Sequence, residues 1–133
     1  MAVRPSQSWR DGVAEEIREL EAGTLDPECA CMTVLFPEPL TEATEGVLAE
    51  FEAALAVIEQ PTDAQVFASV ERVVLALNAV NERFGGAAYE TDEREELCDY
   101  IDETLSEHGI DVPALTARHG MGRYEVTSRW RDW

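Results

Sequence analysis

Apolar residues recur every three or four positions through four stretches of this chain, and glycine or proline closes each stretch. That spacing is the 3.6-residue period of an α-helix. A half-buried strand would instead hide alternate residues, so the pattern selects helices over sheet. The first stripe is Trp9, Val13, Ile17 and Leu20, with Ser6 and Ser8 as possible caps and Gly23 as the stop. Gly12 lies inside it and weakens the helix by about 1 kcal/mol relative to alanine. Glu15, Glu19 and Glu21 fall on the opposite side.

The second stripe, Val47, Leu48, Phe51, Leu55 and Ile58, predicts a helix from near Thr41 to about Gln60, stopped by Pro61. Thr62-Asp63-Ala64-Gln65 then forms a capping box, in which the Thr hydroxyl and the Gln side chain satisfy amides that the first turn leaves open. The helix it starts carries Val66, Val70, Val73, Val74, Leu77 and Phe84 and ends at Gly85-Gly86. Thr91 is the expected cap of a fourth helix whose inner face is Leu97, Cys98, Ile101 and Leu105. Asp111 caps a short helix through Leu115 to Gly120. A last helix is predicted over 122–131, with Tyr124, Val126 and Trp130 available for packing.

Residues 24–40 break the pattern. Pro27, Pro37 and Pro39 each lack an amide donor and restrict the preceding residue, which predicts an extended segment anchored by Val34, Leu35 and Phe36. The fold class is therefore all-α. Residues 1–133 form one helical bundle of five to six helices, with an extended Pro-containing segment at about 24–40. Leu, Ile, Val and Phe supply 31 of 133 residues, enough for a modest core at this length.

Charge narrows the function classes. The net charge is −18, and all ten basic residues are arginine. Residues 1–110 hold 25 acids and six arginines, whereas 111–133 hold three acids and four arginines. Such a field repels nucleic acid and anionic membranes and attracts basic proteins. No apolar run approaches the ~18 residues of a membrane helix, and the first residues lack a signal-peptide core. Three cysteines, an odd number without framework spacing, do not suggest a disulfide scaffold. These features predict a cytoplasmic protein.

No motif of catalysis stands out. Cys29-Ala30-Cys31 could offer two thiolates to one metal, but a structural zinc site needs four ligands, and Cys98, His108 and His119 lie on later segments. The sequence also lacks a Glu-x-x-His pair, a Gly-x-Ser-x-Gly elbow, a phosphate loop and a dinucleotide fingerprint. No metal site and no cofactor are expected. An enzyme is the alternative reading: it would use carboxylates in a cleft that no local signature reveals, one of them with a raised pKa.

On the fourth helix, Asp92, Asp99 and Glu103 lie nearly opposite the apolar stripe, with Glu95, Glu96 and Asp102 beside them. Six carboxylates this close repel one another, and Arg or Lys from a partner would relieve the repulsion. Asp92, Glu96, Asp99 and Glu103 are the candidate partner-binding residues. The segment from Leu115 to Trp130 resembles part of a helix-turn-helix unit, with Gly120 as the turn and Val126 six residues later. Thr116 and Arg129 depart from that pattern, and the acidic remainder opposes phosphate contacts, which makes a helix-turn-helix-like DNA-binding protein a second and less favoured alternative. A simpler reading docks Trp130 and Tyr124 on the core and pairs the C-terminal arginines with the acidic body.

The run Leu77-Asn78-Ala79-Val80-Asn81 and the following Glu90-Thr91-Asp92-Glu93-Arg94-Glu95 resemble a pattern in small acidic helical bacterial proteins, some of them grouped with toxin-immunity proteins. The resemblance implies a helical fold and a binding role, and it carries over no functional residue. The function expected is a non-catalytic interaction module, of the immunity or inhibitor kind, that covers a basic partner.

Overall fold

The computed structural model describes residues 2–133. Its regular structure is entirely helical: α1 (Pro5–Ala22), α2 (Met32–Leu35), α3 (Glu38–Ala56), α4 (Asp63–Arg83), α5 (Thr91–Glu107) and α6 (Val112–Arg118), with a 3-10 turn at Pro27–Cys29. The bundle thus has five helices of seven residues or more and one single-turn helix.

Proline begins helices here. Pro5, Pro39 and Pro113 occupy the first turns of α1, α3 and α6, where a missing N–H costs nothing because no intrahelical acceptor faces it. Helix α3 consequently starts at Glu38, three residues before the expected Thr41, and it ends at Ala56 rather than near Gln60. Thr62 makes both bonds of the predicted capping box with Gln65, and Asp111 caps α6 through Ala114 N–H. Thr91 is the first residue of α5 and not its cap; the cap position is Glu90, which makes no side-chain capping bond.

Helices α3 and α4 share the largest helix–helix contact and form the centre. Leu40, Leu48, Phe51 and Leu55 of α3 meet Val66, Val70, Val73, Val74, Leu77 and Val80 of α4. Leu97, Tyr100, Ile101 and Leu105 of α5, with Val112 and Leu115 of α6, complete the core. Each fully buried Leu or Val contributes about 1.5–3 kcal/mol, so the α4 stripe alone supplies much of the driving force.

Two departures from the sequence reading matter for function. In α1, Ile17 is exposed and Glu16 is buried, with 6% of its surface accessible. The Glu16 carboxylate accepts the backbone N–H groups of Cys31, Met32 and Thr33, at 3.1, 2.8 and 3.3 Å, and the Thr33 hydroxyl at 3.2 Å. Segment 24–40 is therefore not extended. One carboxylate folds its middle into α2, and Phe36 closes the turn by stacking on Trp9 at 5.1 Å. Met32 lies against Gly12, where a Cβ would come within 2.5 Å of its terminal methyl. Val34 and Leu35, the expected anchors, face outward.

The second departure is the C-terminal stretch. Residues 121–133 form turns, and the helix expected over 122–131 is absent, so the two-helix unit resembling helix-turn-helix does not form. Glycines at 120 and 122 leave too short a run to nucleate a helix. The chain crosses α4 and α5 as a strap instead. Val126, Thr127 and Trp133 are buried, Trp130 is half-buried, and Tyr124 projects outward with 78% of its surface accessible. Asn78 grips the strap by donating to Trp130 C=O at 2.7 Å and accepting Asp132 N–H at 3.0 Å. Asn81 shapes the Gly85-Gly86 turn, accepting Ala88 and Tyr89 N–H and donating to Gly86 C=O. Both asparagines of the Leu-Asn-x-x-Asn run thus have structural work.

Candidate functional site

The carboxylates of α5 stand where the spacing placed them, on its outer side. Asp92, Glu96, Asp99 and Glu103 are all exposed. At 100° per residue these four form one straight file along the helix. The file is not uniform. Glu96 accepts the indole N–H of buried Trp9 at 2.8 Å, which ties that carboxylate to α1. Asp99 and Glu103 instead line an open cleft of about 440 Å³ with Asp102, Ser106, Glu107 and Arg123. Asp92 and Glu96 lie outside that lining.

The C-terminal arginines were expected to pair with the acidic body, but their place in the wall of this cleft was not legible in the sequence. Arg123, on the strap, donates to both oxygens of Asp102 at 2.6 and 3.3 Å. Asp99 and Asp102 continue into a neighbouring cavity of about 260 Å³, which Cys98, Tyr124, Thr127 and Arg131 also line. There Arg131 Nη1 donates to Cys98 Sγ at 3.0 Å and to Thr127 Oγ1 at 3.2 Å. The result is a groove with α5 carboxylates on one side and strap residues on the other. The slight positive balance of residues 111–133 was the available signal, and its expected pairing with the body is seen at Asp102 and again at Asp63.

One half-buried carboxylate pair invites comparison with acid–base chemistry. Glu45 and Glu52, two turns apart on α3, are bridged by Arg4, with the Ser6 hydroxyl on Glu45 and the Tyr100 hydroxyl on Glu52. Burial works to raise both carboxyl pKa values. The Ser6 and Arg4 bonds outweigh it at Glu45, the Arg4 and Tyr100 bonds outweigh it at Glu52, and both acids sit below the ordinary range. A general acid needs the opposite shift. Burial and the bond to Glu52 also push the Tyr100 phenol up, so it remains a proton donor to the carboxylate. This cluster fastens α1 to α3 and α5.

The remaining polar groups are dispersed. Cys29 and Cys31 are exposed on the loop before α2, away from half-buried Cys98. Among the described residues, no group of three His, Cys, Asp or Glu is arranged to hold a metal ion. His119 Nε2 lies 3.0 Å from Asp63, which also takes a two-pronged bond from Arg118 at 2.8 and 3.0 Å. Among the described residues, no helix is long and apolar enough to cross a membrane.

No family model matches the chain, and comparison with curated proteins and with solved structures returns no match.

Proposed function

We propose that this chain is a non-catalytic protein-interaction module that acts in the cytoplasm, and that its acidic α5 face covers a basic surface on a partner in the manner of an immunity or inhibitor protein. The observation that supports this reading is the pairing of Asp99 and Glu103. They are adjacent turns of one rigid helix, both exposed, and both on the wall of the same open cleft, with no ion-pair partner among the described residues. Rigid helical placement matters because charges held in position speed association without an ordering penalty. Asp92 extends the file toward the start of α5, and Glu96 contributes charge while bonded to Trp9.

The test begins with low-salt affinity capture from the native cytoplasm, followed by association kinetics with the captured partner. Replacing Asp99→Arg and Glu103→Arg should slow association by ten-fold or more and flatten its dependence on ionic strength. An unchanged rate and salt slope would remove this face from the interaction.

A further inference from the structure

Helix α2 is a single turn, and a lone turn is unstable in water because it fixes several residues for one hydrogen bond. Here it is held at both ends. Glu16 binds the amides at its start, and Phe36 at its end is buried against Trp9. Between these fixings, Val34 and Leu35 point to solvent, with 81% and 49% of their surfaces accessible. A buried carboxylate and a stacked aromatic pair therefore present two aliphatic side chains to water on a rigid support.

Beside them runs a cleft of about 200 Å³ between α2 and the start of α5, walled by Val34, Leu35, Pro37 and Phe84 and edged by Glu90 and Glu93. No arginine or histidine lines it. Arg83 adjoins it only through Phe84, with its guanidinium 5.3 Å from the ring. Burial, with Glu96 and Asp92 nearby, holds the Glu93 carboxyl above its ordinary value. Backbone amides of Glu90 and Glu93 offset part of that desolvation; an arriving guanidinium or ammonium would offset more of it, since the cleft lining offers no cation.

We infer that this cleft is a second docking point, which takes an apolar side chain of a partner segment flanked by Arg or Lys. The inference rests on the interaction-module reading and adds to it an apolar anchor on a different part of the surface from Asp99 and Glu103. Charge complementarity selects the occupant. Apolar walls take the inserted side chain, and Glu90 and Glu93 take the flanking cations. A second copy of this chain is disfavoured because it would bring together two bodies of net charge −18. Such an apolar centre with a charged rim is the usual anatomy of an energetic hot spot.

The experiment uses the full chain and fluorescently labelled 12-residue peptides. One carries a central leucine between arginines, one replaces that leucine with glycine, and one replaces the arginines with glutamates. The parent protein should bind the leucine–arginine peptide at least ten-fold more tightly than either control. The Val34→Ser, Leu35→Ser double variant should lose that preference ten-fold or more while keeping the parent's circular dichroism, since both side chains are exposed. Glu90→Gln with Glu93→Gln should weaken binding about three- to five-fold and reduce its salt dependence. Equal binding by the serine variant, or no preference for leucine over glycine, would overturn the inference. So would a dimer in sedimentation equilibrium that the serine variant abolishes. If Asp99→Arg with Glu103→Arg alone removes binding, the α5 reading stands and the cleft falls. If neither pair of substitutions affects the captured partner, both fall.

Discussion

The carboxylate of Glu16 accepts the backbone N–H of Met32 at 2.8 Å, so a residue of α1 acts as the cap of a helix that starts 16 residues later. Its bonds to Met32, Thr33 and Cys31 amides hold its pKa below the ordinary carboxylate value. Replacing Glu16→Ala should release α2 without unfolding the bundle. Hydrogen-exchange protection of amides 31–33 should fall roughly five- to ten-fold, as for loss of a helix cap, while amides of α4 keep theirs. Because the folded pKa is depressed, the contribution of Glu16 is present above the ordinary carboxylate range and fades as pH falls through its lowered value. Protection of these three amides should therefore decline in acid before the core opens.

Arg4 is the shared cation of Glu45 and Glu52. Arg4→Met keeps most of the side-chain stem but leaves two half-buried anions facing each other. The expected loss is about 1–2 kcal/mol, below the cost of breaking a fully buried pair because these groups retain contact with water. Adding Glu45→Gln and Glu52→Gln to the same chain should recover part of that loss in denaturant titrations. Both carboxyls are depressed in the parent, so its advantage is full above the ordinary carboxylate range and vanishes as pH drops below it.

Asp63 belongs to the first turn of α4, yet its charge is answered from the end of α6. The Arg118 bond, then that of His119, lowers its pKa to about 2. Carboxyl NMR titration should find Asp63 near that value. In an Arg118→Met variant the midpoint should move up toward the ordinary aspartate value of about 3.9. The stabilisation is present above about pH 4 and lost as pH falls toward 2. An unmoved midpoint in the variant would show that the pair does not persist in solution.

Asn78 holds the strap through two backbone bonds, and Cys98 lies beneath Arg131 of the same strap. Asn78→Ala should loosen the strap by about 1 kcal/mol, since a part-buried carbonyl loses its donor while the exposed Asp132 amide can turn to water. The readout is the rate at which Cys98 reacts with a thiol reagent in a chain carrying Cys29→Ser and Cys31→Ser. It should rise several-fold over the parent.

The four long helices were legible because each carries a wide apolar stripe with a marked beginning or end. The Thr62 capping box and the Asp111 cap were legible for the same local reason. Prolines 37 and 39 misled because proline has opposite meanings inside a helix and in its first turn, and only the neighbouring elements decide which applies. Glu16 had a signal in the sequence: Trp9, Val13, Glu16 and Leu20 keep the spacing of an inward stripe. Its identity argued against burial, and the compensating amides came from a loop whose path the sequence does not specify. The α5 carboxylates were placed correctly on the outer face, but spacing along one helix could not show that Glu96 bends to Trp9 or that Asp99 and Glu103 share a cleft with Arg123. Those relations depend on segments far away in the chain.

The aromatic rings packed around Trp9 have a consequence for how the chain assembles. Trp9 meets Tyr89 at 5.9 Å, and Tyr89 meets Trp133 at 5.7 Å. Helices α3, α4 and α5 can form from contacts near in sequence, which close quickly. The ring cluster must gather residues from the beginning, middle and end of the chain, and its loop-closure entropy cannot be met until those helices are in place. Side-chain order at Trp9 and Trp133 should therefore arrive last in folding, and a chain released early would hold a helical but unlatched bundle.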